Sequence, residues 1–418
     1  MTSKSEPHPH EMANFAENPF EQLPRDILLP MVKLTFDLAT LWSLSRVSRA
    51  VYLLIDDFGK EIVETVLNAS EPKHIRFLVG PIALLKLGVH PSTSLDDFKR
   101  RYVRPWSRIS TESVNDTSLK NLSVAERLKI IEYRYGLLPK ETSPMVLHTI
   151  LQTAYKINRL THSCHKHFID RCKTLEICEL IRPIFSGHIR QLDVKQSECR
   201  KYSICETAAP SWIEEKRIAR AFWYVQMFYD LRNNSEKLCW TNSDLDRLRS
   251  MDIEQFYEGP VFSPVTNAIL TTVLYLREAS EASSIQPAQQ AVHFLQLPQP
   301  GNSLPIVFLP AEPIFEDGNS DVWGEGVHCL DNAYRIPGIF VPAMCLTNNK
   351  RSPRRDVPYE HFRRLGFAIW DRKRMFAFGL ANEAGKPEIV FNTTEMIFKY
   401  LRIPLMDKKK KARKSLIR

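Results

Sequence analysis

Apolar residues recur at helical spacing near the start of the chain. Ile27, Leu28, Met31 and Leu34 form one apolar face of a short helix. Pro24 suits its first position, because the missing N–H costs nothing there and φ is already set. Asp26 falls in the first turn, where a negative charge complements the helix dipole. Pro30 is interior and predicts a kink or an early end. Asp37 reads as the N-cap of a second helix, on which Leu38, Leu41 and Leu44/Ser45 share a face. Val47, Val51 and Leu54/Ile55 continue that face, and residues 57–67 predict a further helix. Short helices of this kind leave little room for a core between them, and segments so small usually need a partner to cover them.

The helical pattern persists downstream. Residues 69–110 are broken by Pro72, Pro81, Pro91 and Pro105, with residues 83–89 and 95–103 predicted as short helices between them. Ser123 and Glu126 have the spacing of a capping box, followed by the stripe Val124, Leu128, Ile131 and Tyr135. Ser143-Pro144 opens a longer helix in which Val146, Ile150, Ala154 and Ile157 recur, and residues 168–181 read as helix again. The best-defined helix begins at Ser211, with Glu214 three residues on as the second half of a capping box. Ile218, Phe222, Val225 and Tyr229 form its main stripe, and Trp223, Tyr224, Phe228 and Leu231 occupy much of the rest. A helix apolar on nearly all sides is expected in the middle of a domain; an aromatic groove for a peptide is the alternative. Residues 242–280 hold more helix, clearest over 265–278. Residues 306–309 and 339–341 are candidate short strands, and Asp371 after Gly366-Phe367-Ala368-Ile369-Trp370 either caps a helix or begins a hairpin. No repeat of 20 to 50 residues is present.

The expected fold is therefore mainly α: a short N-terminal helical module, an irregular helical body, and a few short strands near the C-terminus. The organisation reads as 1–15 disordered, 16–68 the module, 69–278 the body, 279–305 a Ser/Gln/Pro/Ala-rich loop or linker, 306–405 the C-terminal part of the body and 406–418 a basic disordered tail.

Composition narrows the class. With 418 residues, 44% hydrophobic and 25% charged, the chain can bury a sizeable core of the ordinary globular kind. No apolar run reaches the ~18 residues of a membrane span, and no secretory h-region follows Met1, so no membrane is expected as a partner. Eight cysteines without a signal predict reduced thiols in the cytosol or nucleus. The net charge of +9 is mostly a property of the tail, where Lys408, Lys409, Lys410, Lys411, Arg413, Lys414 and Arg418 face only Asp407. Lys408, Lys409, Lys410, Lys411, Arg413 and Lys414 read as a nuclear-import signal, and the expected location is nuclear, cytoplasmic or both. Basic clusters at Lys99-Arg100-Arg101, Arg354-Arg355, Arg363-Arg364 and Arg372-Lys373-Arg374 interleave with Tyr102, Trp106, Phe362 and Trp370. With a near-neutral body, solvated helix faces explain them more simply than nucleic-acid binding.

Candidate chemistry is sparse. His162, Cys164, His165 and His167, with Cys172 and Cys178, form the one cluster of potential metal ligands in the sequence, and it lacks any Cys-x2-Cys pair. It reads as a helix with buried cysteines and exposed histidines. There is no phosphate-binding Gly-rich loop, no His-Glu-x-x-His and no Gly-x-Ser-x-Gly. No catalytic residue, metal or cofactor is expected, and the chain does not read as an enzyme.

One segment points to a function. Leu23-Pro24, Asp26-Ile27-Leu28, then Leu41, Leu44 and Val47 at steps of three, then Ser48-Arg49, together resemble an F-box. The spacing from Leu23 to Leu41 is one residue longer than usual, and Ala50 stands where many F-boxes carry a second basic residue. With the blocks Leu38-Ala39-Thr40-Leu41, Arg217-Ile218-Ala219-Arg220-Ala221-Phe222-Trp223 and Gly366 to Trp370-Asp371-Arg372, the chain resembles the large group of fungal F-box-like proteins. The resemblance implies that Leu23, Pro24, Ile27, Leu28, Leu41, Leu44 and Val47 bind a Skp-family adaptor, and through it a cullin. The body would then receive a protein substrate for ubiquitin transfer. The alternative is a non-catalytic helical scaffold or nuclear interaction protein in which the F-box-like segment has become structural.

Overall fold

The computed structural model describes residues 19–103, 138–174, 177–180, 199–202, 209–258, 264–283, 297–298, 359–371, 374 and 400–401. The expected elements around Ser123, Ile306 and Ile339 and the basic tail lie outside these residues. The fold is mainly α.

After a 3-10 turn at Pro19–Glu21, α1 runs Arg25–Lys33, α2 Leu38–Val47 and α3 Arg49–Ser70. Pro30 does not end α1. It forfeits one N–H that would have met Asp26, but buried Leu28 and Val32 hold the helix on α3 through Lys33. Asp37 caps α2 as expected, its carboxylate accepting the Thr40 N–H at 2.6 Å. Ser48 breaks α2 from α3 with φ −129° and ψ 122°, and its hydroxyl accepts the Val51 N–H. The expected helix over 57–67 is thus the second half of one 22-residue helix, whose buried stripe runs Val51, Leu54, Ile55, Ile62, Val63, Val66 and Leu67.

Helix α4, Lys73–Leu87, also carries an interior proline, Pro81, held between buried Val79 and Ile82, and ends at left-handed Gly88 with φ 73°. A short helix α5, Leu95–Phe98, continues into a π turn, Lys99–Val103. Helix α6 spans Pro144–Lys173 without interruption, opened by Ser143. It does not continue to residue 181: Ile177–Leu180 is a strand, β1, antiparallel to β2, Cys199–Tyr202, and to β3, Tyr400–Leu401. Strand pairing between segments so far apart in the chain has no local signature. Helices α7, Trp212–Asn233, α8, Asn242–Ser250, α9, Ile253–Phe256, and α10, Pro264–Ser283, follow, and α11, Tyr359–Arg363, begins the C-terminal segment.

Helix α2 packs on α3 and α6, α3 on α1 and α6, and α7 on α4, α6 and α10. One hydrophobic cluster runs from Leu28 through α6 and α7 to Trp370. Every residue of α7 from Trp212 to Leu231 is buried, as its all-round apolar pattern predicts. Several of its charged residues are correspondingly paired. Lys216 meets Glu71 at 2.9 Å and the Ser70 carbonyl at the end of α3. Asp230 meets Lys86 of α4 at 2.9 Å.

Residues 359–371 and Arg374 close this core. Gly366, at φ 75°, lets the chain turn so that the fully buried Trp370 folds back beneath it. A Cβ at Gly366 would lie 2.7 Å from Cζ2 of Trp370 and 3.0 Å from Cβ of Phe168. Arg217 donates to the carbonyls of Ile369 and Trp370 at 3.0 and 3.1 Å. Asp371 accepts the Arg374 N–H at 2.7 Å, which is a capping geometry and not a hairpin. Glu214, fully buried, receives Nη2 of Arg374 at 2.8 Å and the N–H groups of Ser211 and Asp371 at 3.1 Å each.

Candidate docking face

The expected contact residues divide three ways. Pro24, Ile27 and Val47 are exposed, and Leu23 and Leu44 are half-buried against the core. Leu28 and Leu41 are 2% and 0% exposed and belong to the core, so they drop out of the contact set. The reason is one of phase. Helix α1 carries two adjacent apolar stripes, and α3 covers only Leu28 and Val32. On α2, Leu38, Leu41 and Ser45 turn inward.

What remains outside is a second stripe, of which the contact set held only Ile27. Ile27 and Met31 are about half exposed, and Leu34 and Phe36 are 81% and 78% exposed. Ile27, Met31 and Leu34 follow at i, i+4 and i+7, and Phe36 extends the ridge two residues beyond. The signal was present in the apolar spacing; its direction was not. Val47, Tyr52, Leu53 and Phe58 are exposed on α2 and α3. Among the described residues outside 25–70, only Val89 and Met145 are large, apolar and exposed.

The module is fastened from several sides. Glu21 accepts from the Ser48 hydroxyl at 2.8 Å and from the Ala50 N–H at 3.2 Å, which places a carboxylate at the N-terminus of α3. Those bonds hold its carboxyl below the usual range. Arg25 pairs with Asp57 and lies over the Phe58 ring, and Lys33 reaches Glu61 at 2.6 Å, so α1 is tied to α3 at both ends. His148 of α6 bonds Asp56 at 3.0 Å and stacks on Tyr52 with ring centroids 4.2 Å apart.

The other sequence candidates are structural. Cys164 and Cys172 are buried as expected, but His165 is buried too, with Nε2 3.4 Å from Glu214. Its position facing α7, not its helical phase relative to Cys164, decides this. His167 meets Glu278 of α10 at 2.9 Å, and Arg171 meets the same carboxylate. Among the described residues no group of three or more His, Cys, Asp or Glu is placed to hold a metal. In the basic cluster, Arg100 and Arg101 share Asp97, at 2.6 and 2.8 Å, and Lys99 lies over Phe256. No described helix is long and apolar enough to cross a membrane. Comparison of the chain with protein-family models, curated proteins and solved structures finds no match.

Proposed function

We propose that the chain is an F-box-type adaptor: its N-terminal module docks a Skp-family adaptor, and through it a cullin, while the helical body receives a protein substrate for ubiquitin transfer. The observation that carries this reading is the concentration of exposed large apolar side chains on α1 to α3, from Ile27 to Phe58. A concentration of exposed apolar side chains of that kind marks an interaction site more often than a solvated face. The capped, ion-paired helices beneath hold it ready, so binding would spend little on ordering. The contact set on this reading is Leu23, Pro24, Ile27, Met31, Leu34, Phe36, Leu44 and Val47. Micromolar full-length protein should bind a purified Skp-family adaptor in titration calorimetry.

A scaffold is the second reading. It is favoured by the burial of Leu28 and Leu41 and by the packing of α2 and α3 into one core with α6. Absence of binding by the folded wild-type chain would leave this reading in place of the first. On either reading the basic tail serves nuclear import. A fluorescent fusion should lose nuclear signal when Lys408, Lys409, Lys410 and Lys411 become alanine; an unchanged distribution would remove that role.

A further inference from the structure

The break between α2 and α3 carries an exposed patch of mixed character. Arg46, Val47, Arg49, Tyr52 and Leu53 are exposed there, while Ser48 and Val51 are buried. Val47, Tyr52 and Leu53 are 66%, 43% and 49% exposed. Arg49, Tyr52 and Leu53 follow at i, i+3 and i+4 and so share one face of α3. Arg46 lies in the last turn of α2, with its guanidinium carbon 5.8 Å from the centre of the Trp42 ring. Trp42 meets His148 of α6 edge-on, and His148 stacks on Tyr52. Arg46 and Tyr52 thus stand at the two ends of one row of contacts that crosses α2, α6 and α3.

The charge of this patch is unbalanced. The other cations of α1 to α3 are matched, Arg25 to Asp57, Lys33 to Glu61 and Lys60 to Glu64. Arg46 and Arg49 form no ion pair among the described residues. The carboxylates nearby are already engaged. Glu21 lies within electrostatic reach of Arg49 but accepts from Ser48 and Ala50, and Asp56 bonds His148. Arginine and aromatic side chains around an apolar centre are what protein interfaces are enriched in, and unmatched arginines suit carboxylates on the partner. We propose, on the adaptor reading, that this patch takes an acidic segment of the same Skp-family adaptor. Carboxylates of that segment pair with Arg46 and Arg49, and its apolar side chains cover Val47 and Leu53. The ridge on α1 supplies apolar area; the arginine patch supplies charge. Exposed ion pairs add little affinity, but they steer association and select the partner.

The experiment is association of a purified Skp-family adaptor with the full chain, followed by surface plasmon resonance at about 50 mM and about 500 mM salt, which spans weak to strong screening. Arg46→Glu with Arg49→Glu should slow association at least about tenfold at the lower salt. At the higher salt the gap to wild type should close to within about threefold. Arg46→Lys with Arg49→Lys keeps both charges and should stay within about threefold of wild type at either salt. The control is Lys166→Glu with Arg249→Glu, an equal charge change at exposed positions of α6 and α8. It should alter the rate by less than about threefold. Adaptor binding with the same rates for wild type and the reversal pair at both salts overturns the proposal and leaves the adaptor reading standing. A loss shared by the lysine pair would assign the arginines to packing, and a loss shared by the control would assign the effect to net charge; either overturns the proposal. A folded wild-type chain that binds no adaptor removes the adaptor reading and this proposal together. Should the reversal pair not fold, Arg46→Gln with Arg49→Gln takes its place, and a salt dependence equal to that of wild type then overturns the proposal.

Discussion

Two adjacent carboxyls, Glu214 and Glu215, have opposite environments on one helix turn. Burial pushes Glu215 up to about 8. Burial pushes Glu214 up as well, but its bonds from His165 and Arg374 outweigh that and bring it to about 2. Its folded value lies below the ordinary 4.5, so its stabilisation is complete above pH 4.5 and is lost as pH falls toward 2. The guanidinium is the main donor, and removing one partner of a buried pair costs about 3–5 kcal/mol. Arg374→Met should therefore lower the stability of the full chain by that order at pH 7. The gap to wild type should narrow at pH 3, where Glu214 in the variant takes up a proton. Denaturant midpoints at the two pH values measure both effects, and an equal gap at each would mean that Glu214 is not what Arg374 serves. The local half of this site was legible in the sequence: Ser211 and Glu214 are three residues apart and form the expected capping box. The other half was not, because Arg374 is 160 residues away and nothing in its neighbours marks it as buried.

Elements were legible where short-range chemistry decides them. Asp37, Ser143 and Ser211 each cap the helix that their spacing predicts. The errors came where tertiary contacts override a local preference. Pro30 and Pro81 each delete one hydrogen bond, yet their helices continue because buried neighbours on both sides hold the turn in place. The strand at Ile177–Leu180 exists only because Cys199–Tyr202 and Tyr400–Leu401 come alongside it. The turn at Gly366 is the most demanding element, requiring both a positive φ and an absent side chain. Gly366→Ala adds backbone strain and drives a methyl into the Trp370 ring and Phe168, neither of which has room to retreat. The loss should exceed about 2 kcal/mol by thermal or chemical denaturation, with tryptophan fluorescence shifted as Trp370 leaves its site. A change under about 0.5 kcal/mol would show that the segment adapts freely.

At the scale of the whole molecule, the mainly α class was legible from periodicity, but the facing of each stripe was not. Periodicity says that a helix has an apolar side; which part of a wide side meets the core depends on the neighbour that covers it. On α1, that neighbour covers Leu28 and Val32 and leaves Ile27, Met31, Leu34 and Phe36 outside. This division separates binding from folding in a single set of variants. Leu34 and Phe36 are 81% and 78% exposed, so Leu34→Lys with Phe36→Lys should change stability by no more than about 0.5 kcal/mol each. Of the two, the Leu34→Lys change lies at the C-cap of α1 and suits its dipole, whereas Phe36→Lys lies just before the N-cap of α2 and does not. In a docked complex, the same change would bury two charges in an apolar contact. Central anchors of such interfaces are worth about 2 kcal/mol or more apiece, so the affinity for a Skp-family adaptor should fall at least thirtyfold. Leu41→Ala provides the contrast: Leu41 is fully buried, and a core truncation costs about 2–5 kcal/mol. It should lower the unfolding midpoint, and weaken the adaptor only as the module itself loosens. Adaptor affinity by calorimetry and stability by denaturation, measured on the same preparations, give the two axes. If the lysine pair binds as tightly as wild type while keeping its stability, the ridge on α1 is not the contact, and the adaptor must dock through Leu23, Pro24, Leu44 and Val47 alone or not at all.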